Sequence, residues 1–171
     1  MNNRVAVIII MLLFGTTYSS AQILDSKQGL NSDSTFRPYL IAIVAENVEN
    51  TAAWYNDKLD FEIVRKMEFP KYDSLKIIFM KYGEVELELI QKKTSFTIKK
   101  YIPDYDGFDK SPLRGIAKIA FLVHNVDKLA GKLQSMNVKF LVNLYDDKEF
   151  GIRSFIIEDL DGNVLQFNQR I

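Results

Sequence analysis

Two stretches of the sequence, residues 39–59 and 118–136, repeat each other at a constant distance along the chain. Each runs from an apolar segment into an amphipathic one. Every matching residue of the second stretch lies 78 positions after its counterpart: Ile41, Ala42, Asn47 and Val48 recur as Ile119, Ala120, Asn125 and Val126. A fixed offset over a strand-to-helix unit predicts two copies of one structural module.

The first copy is predicted to fold as βαβββ. Its opening strand, residues 37–45, is largely apolar, as a strand buried on both faces would be. Asn47 suits the cap of a helix over residues 48–59, because its side-chain oxygen can accept an unpaired backbone N–H. The helix carries an apolar stripe at Val48, Ala52, Tyr55 and Leu59. Three strands follow, at residues 61–67, 75–81 and 85–91, with turns at 70–74 and 83–84.

The second copy is predicted to have the same order of elements. Its strands are expected at residues 115–123, 138–144, 152–158 and 164–169, and its helix at residues 126–136 after the cap Asn125. Asp161, Gly162 and Asn163 form the last turn, where glycine can take a positive φ. The modules then span residues 37–92 and 115–171. The connector, residues 93–114, is long and is predicted either to cover a pocket mouth or a neighbouring subunit, or to be a solvated linker.

Residues 1–21 have the pattern of a secretory signal peptide. Arg4 provides a positive charge, residues 5–14 are all apolar, and Ser19 and Ala21 suit cleavage after Ala21. Ten apolar residues span only about 15 Å as a helix, against about 30 Å of hydrocarbon in a membrane. We therefore expect a secreted or periplasmic protein without a membrane span after cleavage. Residues 22–36 are polar and are predicted to form a flexible arm.

Composition excludes several classes of function. Lys and Arg together number 22, as do Asp and Glu, so the chain lacks the positive excess of a nucleic-acid-binding protein. Because there is no cysteine, disulfides, thiolate nucleophiles and thiolate metal sites are excluded.

Three motifs resemble those of one superfamily. Residues 47–55 (NVENTAAWY) resemble its first helix, and residues 58–61 (KLDF) its Leu-Gly-Phe helix exit, with Asp60 in place of glycine. Residues 158–167 (EDLDGNVLQF) resemble its closing Asp-Pro-Asp-Gly-Asn hairpin, with Leu160 in place of proline. The domain over residues 37–171 thus resembles the vicinal oxygen chelate superfamily of glyoxalases, bleomycin resistance proteins and extradiol dioxygenases. The resemblance implies an α+β fold in which two tandem βαβββ modules form a curved, partly closed mixed sheet around a cleft.

The resemblance also implies four inward-facing ligand positions, on the first and fourth strands of each module. They correspond to Leu40, Glu88, Lys118 and Gln166, and the repeat supports this assignment because Leu40 and Lys118, like Glu88 and Gln166, are 78 positions apart. A register shift of one residue would replace Leu40 by Tyr39.

These four residues suit the superfamily's metal chemistry poorly. Leu40 offers no donor atom, Lys118 is a cation, and Gln166 is a weak neutral ligand, so Glu88 is the only good candidate metal ligand. No tightly bound metal or other cofactor is expected, and no catalytic residue is identified. Glu88 and Lys118 would form either a polar recognition pair for a small ligand or a structural ion pair that fills the site.

The leading functional hypothesis is an exported protein that binds a small molecule in its cleft without the usual metal. The alternative is a divergent metal-dependent lyase or dioxygenase, and a third is an interaction protein with a filled cleft. The resemblance allows a homodimer. His124, the only histidine, is expected on the surface, and Trp54 and Tyr55 in packing. Asp104, Asp106 and Asp109 match a calcium loop only loosely.

Overall fold

The computed structural model describes residues 39–105 and 114–171. The predicted signal peptide and flexible arm, together with Asp106 and Asp109, lie outside these ranges. The first module contains β1 (Ile41–Val44), α1 (Val48–Leu59), β2 (Glu62–Phe69), β3 (Leu75–Tyr82) and β4 (Val85–Gln91). The second contains β5 (Ile119–Leu122), α2 (Val126–Ser135), β6 (Phe140–Asp147), β7 (Ile152–Glu158) and β8 (Val164–Arg170). Neither helix is long and apolar enough to cross a membrane.

Each module forms one four-stranded mixed sheet. The strand orders are β1-β4-β3-β2 and β5-β8-β7-β6, in which the first strand of each module runs parallel to the fourth and the other pairs are antiparallel. The two sheets are separate and do not close into a barrel. This architecture confirms the predicted α+β fold of two tandem βαβββ modules.

The two helices cover one face of the sheets, and one continuous core forms beneath them. Tyr55 and Val48 of α1 and Leu133 of α2 are completely buried in it. The opposite face, which we call the outer face, is different: Ala42 and Val44 of β1 are exposed. The prediction that the first strand is buried on both faces is therefore wrong. Although the strand is apolar, no second layer of the described residues covers its outer face.

Helix capping fixes the element boundaries. Asn47 and Asn125 each accept a backbone N–H at their side-chain oxygen, at 2.9 Å from Asn50 and 2.8 Å from Lys128. The bounds of α1, β4 and β7 match the predicted ranges. β6 begins at Phe140 rather than residue 138, because the chain leaves α2 through Asn137 at φ 55° and the Val138 N–H still bonds the Leu133 carbonyl.

Polar contacts tie the final hairpin to the first module. Asp161 accepts hydrogen bonds from the Glu46 N–H and the Thr51 hydroxyl, both at 2.7 Å. The buried Tyr55 hydroxyl donates to Asp159 Oδ2 at 2.8 Å. These bonds join residues more than 100 positions apart, so the hairpin that resembles a superfamily motif links the modules as well as closing the second sheet.

Candidate functional site

Strand register places the four candidate positions on the outer faces of the sheets. Glu88 pairs with Ala42 and Gln166 with Ala120, both residues on the outer face of their strands. Leu40 precedes β1 by one residue and Lys118 precedes β5 by one, so each is in phase with that face. Leu40, rather than Tyr39, is thus in phase with Glu88.

A cavity of about 760 Å³ lies on the outer face of the second sheet. Lys118 and Gln166 line it, together with Tyr145, Asn168 and Arg170. Leu40 and Glu88 belong to the other sheet and do not contribute to this cavity. Within one chain, the structure therefore brings together two of the four candidate residues.

Gln166 is held in this cavity by a buried hydrogen-bond network. Gln166 is only 5% exposed. Its Nε2 donates hydrogen bonds to Ser154 Oγ at 2.9 Å and to the Tyr145 hydroxyl at 3.3 Å. Ser154 is completely buried, and its hydroxyl lies 2.9 Å from Asn168 Oδ1 and 3.1 Å from the Phe167 carbonyl. A hydrogen-bonded network of this kind fixes the orientation of the amide before any ligand arrives.

The orientation leaves Gln166 Oε1 available. Both Nε2 protons are used by Ser154 and Tyr145, whereas Oε1 accepts no hydrogen bond from the described residues. No buried side-chain polar atom of the described chain lacks a partner, so this oxygen reaches the open space of the cavity. It can accept a hydrogen bond from a bound molecule.

Glu88 occupies a different environment on the first sheet. Burial raises the pKa of this half-buried carboxyl, and no cation among the described residues offsets that effect. The described residues contain no ion pair between Glu88 and Lys118. The structural ion pair considered from the sequence is thus absent from these parts of the chain.

The donor atoms do not fit the superfamily's metal. Among residues 39–105 and 114–171, no three His, Asp or Glu side chains are grouped so as to hold an ion. Glu88 is on one sheet, Gln166 on the other, and Gln166 Nε2 is committed to its own network. Lys118 contributes a positive charge and Leu40 no donor atom, so this ligand set does not form a metal site within the chain.

A larger cavity, of about 960 Å³, lies beside the final hairpin and is lined in part by Trp54, Phe96 and Lys139. Four of its charged groups have partners among the described residues. Lys139 pairs with Glu158, and the carboxylates of Asp159 and Asp161 accept the bonds that tie the modules together. None of the four candidate positions lines it, so the cavity of the second sheet is the better candidate site.

Three further predictions from the sequence, on His124, Tyr55 and Trp54, are confirmed. His124 is exposed, Tyr55 is buried and Trp54 packs against the core, as predicted. Sequence reasoning missed four contributors to the site: Tyr145, Ser154, Asn168 and Arg170. A signal for two of them was present, because Gln166, Asn168 and Arg170 alternate along β8 and therefore share one face.

Comparison with known proteins identifies the superfamily. The profile of the glyoxalase/bleomycin resistance protein/dioxygenase superfamily matches residues 39–167. The chain therefore belongs to this superfamily, in agreement with its tandem modules. No curated protein matches the sequence.

Solved structures show the same fold at low sequence identity. A glyoxalase family protein from Enterococcus faecalis is 24% identical with a TM-score of 0.64, over 78% of this chain and 98% of that one. A point mutant of glyoxalase I from Zea mays is 20% identical with a TM-score of 0.62, over 78% of this chain and 45% of that one. A fosfomycin resistance protein from Listeria monocytogenes is 11% identical with a TM-score of 0.58, over 81% and 96%.

Proposed function

We propose that this chain is an exported small-molecule-binding protein that holds its ligand in the cavity of the second sheet without a tightly bound metal. The observation that carries the proposal is Gln166, which is almost fully buried and fixed by Ser154 and Tyr145, yet keeps its Oε1 open to the cavity. Pre-organised polar groups in a concave site are the usual means of orienting a small ligand.

The scattered donor set supports the absence of a tightly held metal. A divalent transition ion requires three or more imidazole, carboxylate or thiolate ligands in one place, and Glu88 is the only strong ligand among the four candidate positions. The superfamily's lyases and dioxygenases are the alternative, and they would need a divergent ligand set or a substrate that completes the coordination.

Metal analysis and NMR together test the proposal. We expect purified protein to contain far less than one transition metal ion per chain, and small organic probes to shift the resonances of Tyr145, Gln166 and Asn168 preferentially. A stoichiometric metal that is lost on Glu88→Ala would overturn metal-free binding. Turnover of a catechol or of an α-ketoaldehyde thiol adduct, stimulated by added Ni²⁺, Zn²⁺ or Fe²⁺, would establish the alternative.

A second copy of the chain is the partner we propose. The equivalent residues Val44 and Leu122 of β1 and β5 are 55% and 67% exposed on the outer faces. Apolar residues at matching positions of both sheets favour a pairing that removes them from water. Light scattering is expected to give the mass of a dimer, and Val44→Asp, which lies outside the ligand cavity, that of a monomer. Leu160→Asp, at an exposed apolar residue in the hairpin turn, should stay dimeric; a wild-type monomer at every concentration would exclude pairing.

Export follows from the amino-terminal pattern of Arg4, the apolar run and Ala21. N-terminal sequencing of protein recovered from outside the cytoplasm is expected to begin at Gln22. Recovery of a chain that keeps Met1 in the cytoplasm would contradict this part of the proposal.

A further inference from the structure

Two cations in the cavity of the second sheet have no carboxylate partner among residues 39–105 and 114–171. Lys118 and Arg170 both line the cavity, and neither forms an ion pair with any residue of the described chain. Arg153, on the helix side of the neighbouring strand β7, behaves differently: its guanidinium bonds Asp127 and Asp146 at 2.8 and 2.6 Å. The positive charge of the cavity is therefore available to an anionic ligand.

Two neutral donors reinforce this preference. The Tyr145 oxygen accepts a hydrogen bond from Gln166 Nε2, so the hydroxyl of Tyr145 can still donate its own hydrogen bond to another group. Asn168 uses Oδ1 toward Ser154, and its Nδ2 donates to no described residue. Both residues line the cavity beside the cations.

One acidic side chain also lines the cavity and must be weighed against these groups. Asp147 closes the β6–β7 turn, where its Oδ1 accepts the backbone N–H groups of Glu149 and Phe150, each at 3.1 Å. Asp147 is outside ion-pair distance of both Lys118 and Arg170, so the two cations remain available to a bound anion. Phe150, 74% exposed at the same cavity, offers an apolar surface to the rest of a ligand.

We infer that this cavity binds a small organic anion that carries a hydroxyl or amino group. Lys118 and Arg170 would meet the anionic group, Gln166 Oε1 would accept from the hydroxyl or amine, and Phe150 would contact the apolar part. This inference rests on the proposed function, because it names the class of ligand for the same site. Charge-assisted hydrogen bonds to the anion supply the selectivity over neutral analogues.

Three probes separate the parts of this inference. Mandelate has a carboxylate, a hydroxyl and a phenyl ring; mandelamide replaces the carboxylate by a neutral amide; phenylacetate lacks the hydroxyl. Titration followed by NMR or calorimetry is expected to give mandelate the highest affinity. Mandelamide should bind at least about tenfold more weakly, since the charged contacts are lost. Phenylacetate should bind several-fold more weakly than mandelate.

Substitutions test which side chains cause the preference for mandelate. Arg170→Met and Lys118→Met are expected to reduce mandelate affinity about tenfold each and to leave mandelamide unchanged. Lys128→Met removes an exposed lysine of α2 that does not line the cavity, so it should bind mandelate like the wild type. In Gln166→Leu, mandelate and phenylacetate should bind with equal affinity, because the acceptor for the mandelate hydroxyl is lost. Both exposed cation variants keep the buried network intact, so they test the inference even if Gln166→Leu does not fold.

The outcomes distinguish this inference from the proposed function. Equal binding of mandelate and mandelamide at the resonances of Tyr145 and Asn168 would overturn the anion preference while supporting a small-molecule site. Loss of mandelate binding in Lys128→Met to the same extent as in Arg170→Met would also overturn it. If none of the three probes binds in the cavity, both the anion preference and the proposed function are overturned.

Discussion

Gln91 accepts a hydrogen bond at Oε1 from the backbone N–H of Val48, over 3.0 Å. The second module repeats this contact between Gln169 and Val126, at 2.9 Å. Each glutamine is on the fourth strand of its module and reaches the first residue of the helix, and the two glutamines are 78 positions apart. The repeat thus extends to a tertiary contact that satisfies one of the N–H groups left unpaired at a helix start.

Replacing Gln169 by Leu is expected to lower the free energy of unfolding by about 1–2 kcal/mol, because the Val126 N–H loses its partner beside a buried side chain. Urea unfolding measures the change. Gln169→Glu keeps an acceptor and adds negative charge at the helix start, so it should remain close to the wild type. Gln134→Leu, at an exposed glutamine of α2, is the control; an equal effect of both Leu variants would contradict this role.

Tyr55→Phe tests the bond that joins the two modules. The Tyr55 hydroxyl donates to Asp159 over 2.8 Å, and both residues are buried. Burial and the nearby Asp159 carboxyl raise the pKa of Tyr55 well above its ordinary value, so the hydroxyl stays a donor. We expect the substitution to lower the free energy of unfolding by about 1.5 kcal/mol. Tyr82→Phe, which removes the hydroxyl of an exposed tyrosine, should have almost no effect; similar losses in both variants would argue against the bond.

Glu88 should make stability depend on pH. Because burial raises its pKa, the folded protein retains the proton to higher pH than the unfolded chain does. The stability due to the protonated form is complete below the unfolded pKa of about 4.3, and it is lost as the pH rises through the folded pKa. Glu88→Gln is therefore expected to equal the wild type at low pH and to exceed its stability at neutral pH. Asp159 contributes in the same direction but is common to both proteins, so it cancels in the difference.

The matched control for this measurement is Glu84→Gln, in the exposed turn before β4. Its effect on the free energy of unfolding should be small, because the side chain is exposed. A Glu88→Gln variant that is less stable than the wild type at neutral pH would show that the carboxylate has a favourable partner in the folded protein.

The repeat made the fold predictable from the sequence. Helix caps at Asn47 and Asn125 and the apolar stripe of α1 are local signals, so α1 was located to its end residues. The resemblance, supported by the offset, assigned Lys118 and Gln166 to the cleft, and both line the cavity of the second sheet. The repeat could not show that Leu40 and Glu88, on the first sheet, do not line the same cavity. A repeat identifies equivalent positions in the two modules, but it does not give the arrangement of one module against the other.

The hydrogen-bond network around Gln166 could not be predicted from the sequence for a related reason. Tyr145 pairs with Ser154 across β6 and β7, and Ser154 pairs with Asn168 across β7 and β8. The register between β6 and β7 shifts twice, at irregularities that have no clear sequence signature. Lateral neighbours in a sheet are fixed by such registers, so the residues that orient Gln166 become apparent only in three dimensions.

Asp60 provides a final test, because it stands where the superfamily has glycine. It ends α1 in the left-handed conformation, at φ 59°, where its N–H bonds the Asn56 carbonyl. A side chain is strained there, by about 1 kcal/mol relative to glycine. Asp60 also contacts Lys132 of α2, with 2.7 Å between Oδ2 and Nζ, and such exposed ion pairs contribute between about 0 and 1 kcal/mol.

The two effects oppose each other, and a double-mutant cycle separates them. In the Lys132→Met background, Asp60→Gly is expected to raise the free energy of unfolding by about 0.5–1 kcal/mol, because only the strain is removed. In the wild-type background the gain should be smaller, since the contact between modules is lost at the same time. Urea unfolding of the four proteins measures the change in unfolding free energy that Asp60→Gly causes in each background. Added salt should make these two changes more similar, because it screens the ion pair. A larger gain with Lys132 present than without it would show that this contact does not stabilise the folded chain.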